Sequence, residues 1–168
     1  MKMSKEEAIF HGIIREYFPD LAKIVDSGVM DVHDLNIERL FEKCIAKESG
    51  IGWVNEQGES QAKFDFLDFS DAKTSSVGRK WDNSKQHYVI RGTITNTGDK
   101  QGDLRVVVYN SFTEELHYFL VPHEDIAENS SKGGLTWHIN LHYSTIKKDY
   151  GIREKYRVAT FKDICVVK

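Results

Sequence analysis

The sequence predicts a single domain of the α/β or α+β class, built around a mixed central sheet. Before residue 50, apolar residues recur every three or four positions, which is typical of amphipathic helices. After residue 50, short runs rich in β-branched residues alternate with turn residues, which indicates strands. No regular strand-helix-strand repeat follows, so a mixed sheet is expected. The length of 168 residues suits one domain with its own core.

Helices are predicted in the N-terminal part, over about residues 4–48. Ser4 followed by Glu7 has the spacing of a capping box and predicts a helix to about Ile24, which Pro19 interrupts or restarts. A second apolar stripe predicts a helix from Asp34 to about Lys47, before Gly50.

Strands are predicted over about 51–122, and short mixed elements over 123–168. A polar loop is expected from Ser75 to Lys85, and a turn from Asn96 to Gly102. Single helical turns are expected at Glu124–Glu128 and Phe161–Cys165. The predicted strands are Trp53–Asn55, Ala62–Ala72, Tyr88–Thr95, Leu104–Tyr109, Leu116–Val121 and Trp137–His142.

The composition predicts a cytoplasmic protein without a membrane span. Cys44 and Cys165 lie far apart and show no CxxC spacing, which argues against a disulfide framework and a thiolate zinc site. No segment approaches the ~20 apolar residues that a membrane-spanning helix needs, and no signal-peptide core follows Met1. The net charge of -3 is not that of a generally basic nucleic-acid-binding domain, so any such surface must be local.

An acidic motif is the strongest functional signal in the chain. Asp65, Asp68, Asp71 and Lys73 lie within nine residues, framed by phenylalanines. On a strand, Asp71 and Lys73 share one face, since side chains alternate with a period of two. A carboxylate that holds a divalent cation beside an ammonium suits metal-assisted phosphodiester hydrolysis. The alternative is a solvated edge strand whose surface ion pair has little energetic consequence.

These residues resemble the motif of the PD-(D/E)xK nuclease superfamily, in particular type II restriction endonucleases. The similarity spans roughly Asn36 to Pro122 and includes Asp71-Ala72-Lys73-Thr74 with the strands after it. It implies a restriction-endonuclease-like mixed sheet flanked by helices, and Mg²⁺ as cofactor, with Mn²⁺ as a substitute.

The resemblance also implies a set of site residues. Asp71 and Lys73 match the second acid and the lysine, and either Asp68 or Asp65 matches the first acid, so that Asp65, Asp68 and Asp71 are the candidate metal ligands. Glu38 is the best match for a further catalytic glutamate on the preceding helix, with Glu42 and Glu48 as alternatives.

Double-stranded DNA is the expected partner, and cleavage of a palindrome would require a homodimer. Cations mixed with aromatic and amide side chains suit phosphate and base contacts. The candidate nucleic-acid-binding residues are Arg79, Lys80, Asn83, Lys85, Gln86, His87, Lys147 and Lys148.

Other functions stay open at this point. A homing or phage-type nuclease of the same superfamily would share the same motif. A non-enzymatic binding or immunity protein would use the acidic strand only to pair with a basic partner. His138 and His142 share a strand face, but no third ligand with telling spacing completes a zinc site.

Overall fold

The N-terminal part of the chain is helical, as predicted. The computed structural model describes residues 3–54, 65–82, 87–90, 92–97, 102–126, 131–133 and 136–167. The helical part begins with α1 (Lys5–Ile9). A π-helical turn, Phe10–Ile14, leads into α2 (Arg15–Tyr17). The Ser4 hydroxyl accepts from the Glu7 amide at 3.1 Å, and the Glu7 carboxylate accepts from the Ser4 amide at 3.3 Å. The capping box is therefore confirmed.

Two further helices complete this layer. Pro19 opens α3 (Pro19–Asp26), which confirms the restart expected there. The next long helix, α4 (Ile37–Ser49), starts three residues later than predicted, because Asp34 closes a separate 3₁₀ turn, Val32–Asp34. Gly50 ends α4 with a φ of 78°, a left-handed conformation that favours glycine. None of the helices in the described ranges is long and apolar enough to cross a membrane.

The remaining elements are mostly strands. Two short helices lie among them, α5 (His123–Ile126) and α6 (Phe161–Ile164), at the positions where helical turns were predicted. The strands are β1 (Asp71–Val77), β2 (Arg79–Asp82), β3 (His87–Ile90), β4 (Gly92–Thr97), β5 (Leu104–Asn110), β6 (Glu115–Val121), β7 (Ser131–Gly133), β8 (Thr136–Leu141) and β9 (Arg157–Val158).

A four-stranded mixed sheet forms the centre of the fold, with the order β1-β5-β6-β9. The strands β1 and β5 are parallel, whereas β6 runs antiparallel to both β5 and β9. The strands β2 and β3 form an antiparallel ribbon, and β4-β8-β7 form a separate three-stranded sheet. The mixed α/β fold predicted from the sequence is thus confirmed at this level.

Two predictions around the acidic motif were wrong. Residues Asp65–Ser70 form turns rather than the end of a strand, and Asp71 begins β1 instead of closing one. The amide of Asp71 donates to the Asp103 carbonyl at 3.0 Å, which starts the parallel ladder to β5. A loop was predicted from Ser75 onward, but residues 75–77 belong to β1 and residues 79–82 form β2. Asn55 and residues 62–64 lie outside the described residues.

The central sheet separates two hydrophobic clusters. On one face, Ala72 and Val107 pack with the helices, together with buried residues such as Phe41 and Phe66. On the other face, Val106 and neighbouring β5 side chains pack against tyrosines from the segment after β8. Because β1 pairs only with β5 among the described strands, its outer side forms an edge of this sheet.

Candidate acidic site at the edge of the sheet

Asp71 and Lys73 lie at the start of β1, on the face opposite the helices. Strand alternation puts both side chains on that face, while Ala72 points toward the helical layer. Asp71 is only 2% exposed and Lys73 is half-buried. The geometry expected for this acid and amine pair is therefore present in the backbone.

Asp65 joins this pair from the preceding turn. Its backbone amide donates to Oδ1 of Asp71 at 3.0 Å, and its own Oδ2 accepts from the Ala72 amide at 2.9 Å. The turn that carries Asp65 therefore lies alongside the outer edge of β1. The two carboxylates belong to one hydrogen-bonded arrangement.

Glu42 reaches the same place from α4. Its carboxyl group shares a hydrogen bond with the Asp65 carboxylate, and its Oε1 accepts from the Trp53 indole at 3.4 Å. Burial and the neighbouring Asp65 raise the pKa of Glu42 from 4.5 to about 8, although the charge of Lys73 opposes this shift. Glu42 is thus a buried carboxylic acid that keeps its proton at neutral pH, next to Asp65.

Glu38 lies apart from this cluster. It is exposed, and its Oε1 accepts from the Thr74 hydroxyl at 3.5 Å on the helical side of β1. Lys5 donates to the same hydroxyl at 3.3 Å. The glutamate that contacts Asp65 is therefore Glu42, which the sequence offered as an alternative, and not Glu38, which it favoured. Glu48, the other alternative, accepts from the Tyr17 hydroxyl at 3.0 Å.

Asp68 binds an arginine of the central sheet. Its Oδ2 lies 3.0 Å from Nη2 of Arg105, and its Oδ1 accepts from the Ser70 amide at 3.0 Å. Burial raises the pKa of Asp68, but the hydrogen bonds from Ser70 and the charge of Arg105 outweigh that effect, so the pKa lies below its ordinary value. Of the two candidates for the first acid, the structure places Asp65 rather than Asp68 beside Asp71.

The carboxylate oxygens of Asp65, Asp71 and Glu42 suit a hard cation, but they do not form a complete coordination shell. Carboxylate oxygens are the ligands that Mg²⁺ prefers. Among the residues that the structure describes, however, no group of three His, Cys, Asp or Glu side chains is placed to hold a metal ion. In this arrangement Asp65 binds a backbone amide and Glu42 instead.

The candidate nucleic-acid-binding residues fall in two regions. Arg79 and Lys80 lie in β2 and His87 in β3, where the ribbon register pairs Asp82 with His87. Lys147 and Lys148 are exposed in a turn closed by a bridge between Ser144 and Asp149. Asn83, Lys85 and Gln86 lie outside the described residues.

Sequence reasoning missed Arg105 and Trp53 as neighbours of the motif. Arg105 is a cation inside the apolar run Leu104–Tyr109, a pattern that predicts a buried charge with a partner. Asp68, 37 residues earlier, is that partner. No sequence pattern around Trp53 indicates that it contacts a residue of the acidic motif.

No protein-family model matches this chain, and no curated protein matches it either.

Proposed function

We propose that this protein is a magnesium-dependent endodeoxyribonuclease of the restriction-endonuclease type, acting on double-stranded DNA. The observation that carries the proposal is the hydrogen-bonded contact of Asp65 with both Ala72 and Asp71, on the strand that also presents Lys73. Two acids from different segments thus meet at one edge of the mixed sheet, and Lys73 follows two residues later on the same strand face.

Asp65 and Asp71 are the residues that would hold the metal. Both offer carboxylate oxygens, and the neighbouring Glu42 is held neutral mainly by burial. A bound Mg²⁺ ion supplies a Lewis acid that activates water and neutralises charge on the leaving oxygen.

Lys73 would act on the phosphate. Its ammonium group lies on the same strand face as Asp71, two residues further on. A cation fixed there stabilises the charge that develops on the phosphoryl oxygens without reorganising during the reaction. Glu42 would help to orient the Asp65 carboxylate through the hydrogen bond between them.

The substrate would be bound by local basic surfaces, since the chain as a whole is acidic. The proposed contacts are the ribbon that contains Arg79, Lys80 and His87, and the exposed turn with Lys147 and Lys148. A homodimer would match the two-fold symmetry of a palindromic site. A homing or phage-type nuclease would use the same acids and lysine.

A non-enzymatic binding or immunity protein is the second candidate. It is favoured by the way the carboxylates are already satisfied: Asp65 accepts from the Ala72 amide, and Glu42 is kept neutral by burial. In that case the acidic edge would serve structure or the recognition of a basic partner.

Plasmid cleavage at low ionic strength separates the two candidates. We expect magnesium-dependent cutting that a chelator stops, into discrete fragments for a sequence-specific enzyme or a smear for a nonspecific one. Asp71→Asn keeps the oxygen that accepts from the Asp65 amide but removes the charge, so it should abolish cleavage and spare DNA binding. Asp20→Ala, an exposed acid on α3, is the matched control. Intact DNA with a retarded band would support the binding protein, and magnesium-dependent cutting by Asp71→Asn would contradict the proposed site.

A further inference from the structure

Arg105 is a buried cation in the middle of the central sheet. It is 3% exposed and lies in β5, with its side chain on the helical face. Burying a charge costs several kcal/mol unless it is well paired and hydrogen-bonded. Four hydrogen bonds from Arg105 offset this cost. They connect residues 68–70 with residues 164–166, which are far apart in the chain.

One half of the guanidinium group holds the acidic loop, defined here as residues 65–70. Nε of Arg105 donates to the Ser70 hydroxyl at 3.0 Å, and Nη2 donates to Oδ2 of Asp68 at 3.0 Å. Ser70 also donates its amide to Oδ1 of Asp68 at 3.0 Å. The loop is thus fixed at its C-terminal end, directly before Asp71.

The other half of the guanidinium group binds the end of α6 and the residues that follow it. Nη1 of Arg105 donates to the carbonyl of Ile164, and to that of Val166 at 2.9 Å. Main-chain carbonyls are fixed in number and direction, so they orient the planar guanidinium group. Lysine has one compact ammonium group and cannot reproduce this fork.

Main-chain hydrogen bonds also hold the acidic loop. Phe66 is fully buried, and its amide donates to the Ser70 carbonyl at 3.2 Å. The carbonyl of Asp65 accepts from the Val54 amide at 3.0 Å. The amide of Leu67 also donates to the Gly52 carbonyl at 2.9 Å. To these main-chain bonds Arg105 adds the link between the side chains of Asp68 and Ser70 and the central sheet.

We propose that Arg105 is a positioning residue: through Asp68 and Ser70 it holds the acidic loop so that Asp65 meets Ala72 and Asp71. Asp68 then serves the site indirectly, as the partner of Arg105, and does not coordinate the metal. The consequence for magnesium binding rests on the proposed function, whereas the positioning of Asp65 does not.

The test compares Asp68→Asn, Arg105→Lys and the double variant. Asp68 is 36% exposed, so Asp68→Asn should fold even if Arg105→Lys does not. Arg15→Lys is the matched control, because Arg15 forms a 2.6 Å ion pair with Asp26 away from the acidic loop.

The first measurement is amide hydrogen exchange at Ala72 and Asp65, whose N–H groups form the two bonds of the site. We expect roughly tenfold faster exchange in each single variant and no further increase in the double variant, since the residues act as one unit. The amide of Val107 in β5 reports global stability, so the faster exchange at Ala72 and Asp65 should exceed any change at Val107. Unchanged exchange at Ala72 and Asp65 would overturn the proposal.

The second measurement is Mg²⁺ binding by calorimetry. Loss of a supporting partner of a metal ligand typically weakens affinity about 10–100-fold. We expect such a loss in both single variants, again without additivity. Weaker binding in Asp68→Asn alone would make Asp68 a ligand and overturn the proposal. Faster exchange with unchanged affinity would support the positioning of Asp65 by Arg105 but contradict the proposed function, because Asp65 would then not hold the metal. A wild-type protein that neither binds Mg²⁺ nor cuts DNA would contradict the proposed function, and the exchange data would then decide the role of Arg105.

Discussion

Glu42 should make the stability of this protein depend on pH in the opposite direction from most carboxylates. Its pKa in the folded protein is raised from 4.5 to about 8. The folded state therefore holds a proton between these pH values that the unfolded state has released. Stability must then fall as pH rises through this window, and it levels off above it.

The substitution Glu42→Gln tests this effect. Glutamine resembles the protonated acid: it can accept from the Trp53 indole and donate to Asp65 without ionising. One pKa unit corresponds to about 1.4 kcal/mol. The variant should match the wild-type protein near pH 5 and exceed its stability by a few kcal/mol at pH 9. For a chain of this length, each kcal/mol shifts Tm by about 2–4 °C.

Thermal unfolding followed by circular dichroism from pH 5 to pH 9 measures the difference. Glu48→Gln on the same helix is the matched control, since Glu48 is more exposed and its carboxylate binds the Tyr17 hydroxyl. It should show no growing gain in Tm at high pH. If the difference in Tm between Glu42→Gln and the wild-type protein stays constant from pH 5 to pH 9, Glu42 does not hold a proton in the folded protein.

Three further outcomes are expected. Gly102→Ala should destabilise the protein by about 1–3 kcal/mol in urea unfolding, because an added Cβ would overlap with the Phe69 carbonyl; stability equal to wild type would show that the acidic loop yields easily. Phe66→Ala should cost about 3–5 kcal/mol in the same assay, because Phe66 is fully buried, and a loss below 1 kcal/mol would contradict its role as an anchor of the loop. Cys44 and Cys165 should resist a thiol reagent at pH 8 until the protein is unfolded, because burial raises the pKa of both thiols to about 12; rapid labelling of the native protein would contradict this.

The helices and the inner strands could be predicted from local pattern alone. The capping box at Ser4 and the left-handed Gly50 mark helix ends through short-range chemistry. The run Leu104–Tyr109 is buried on both faces and rich in valine, so it indicates a strand in almost any context. The π-helical turn at Phe10–Ile14 had no such signal, since it differs from an α-helix only in its hydrogen-bond spacing.

The acidic region could be predicted only in part, because long-range partners decide its geometry. The polar sequence Asp71–Val77 does not look like a strand, yet pairing with β5 makes it one. The choice between Asp65 and Asp68 depends on Arg105, which is distant in sequence. Likewise, Glu42 and Glu38 both lie in the first half of α4. They differ in burial and in long-range partners, since Glu42 contacts Trp53 and Asp65 whereas Glu38 contacts Thr74.

The hydrogen bond from the Ala72 amide to Asp65 also affects how this protein meets other chains. An outer strand with open amides can recruit a strand from a neighbouring molecule and so begin aggregation. Here a side chain occupies one of those amides, and a negatively charged group stands where a foreign strand would have to approach. Self-association along β1 is therefore opposed by the same aspartate that is proposed to bind the metal ion.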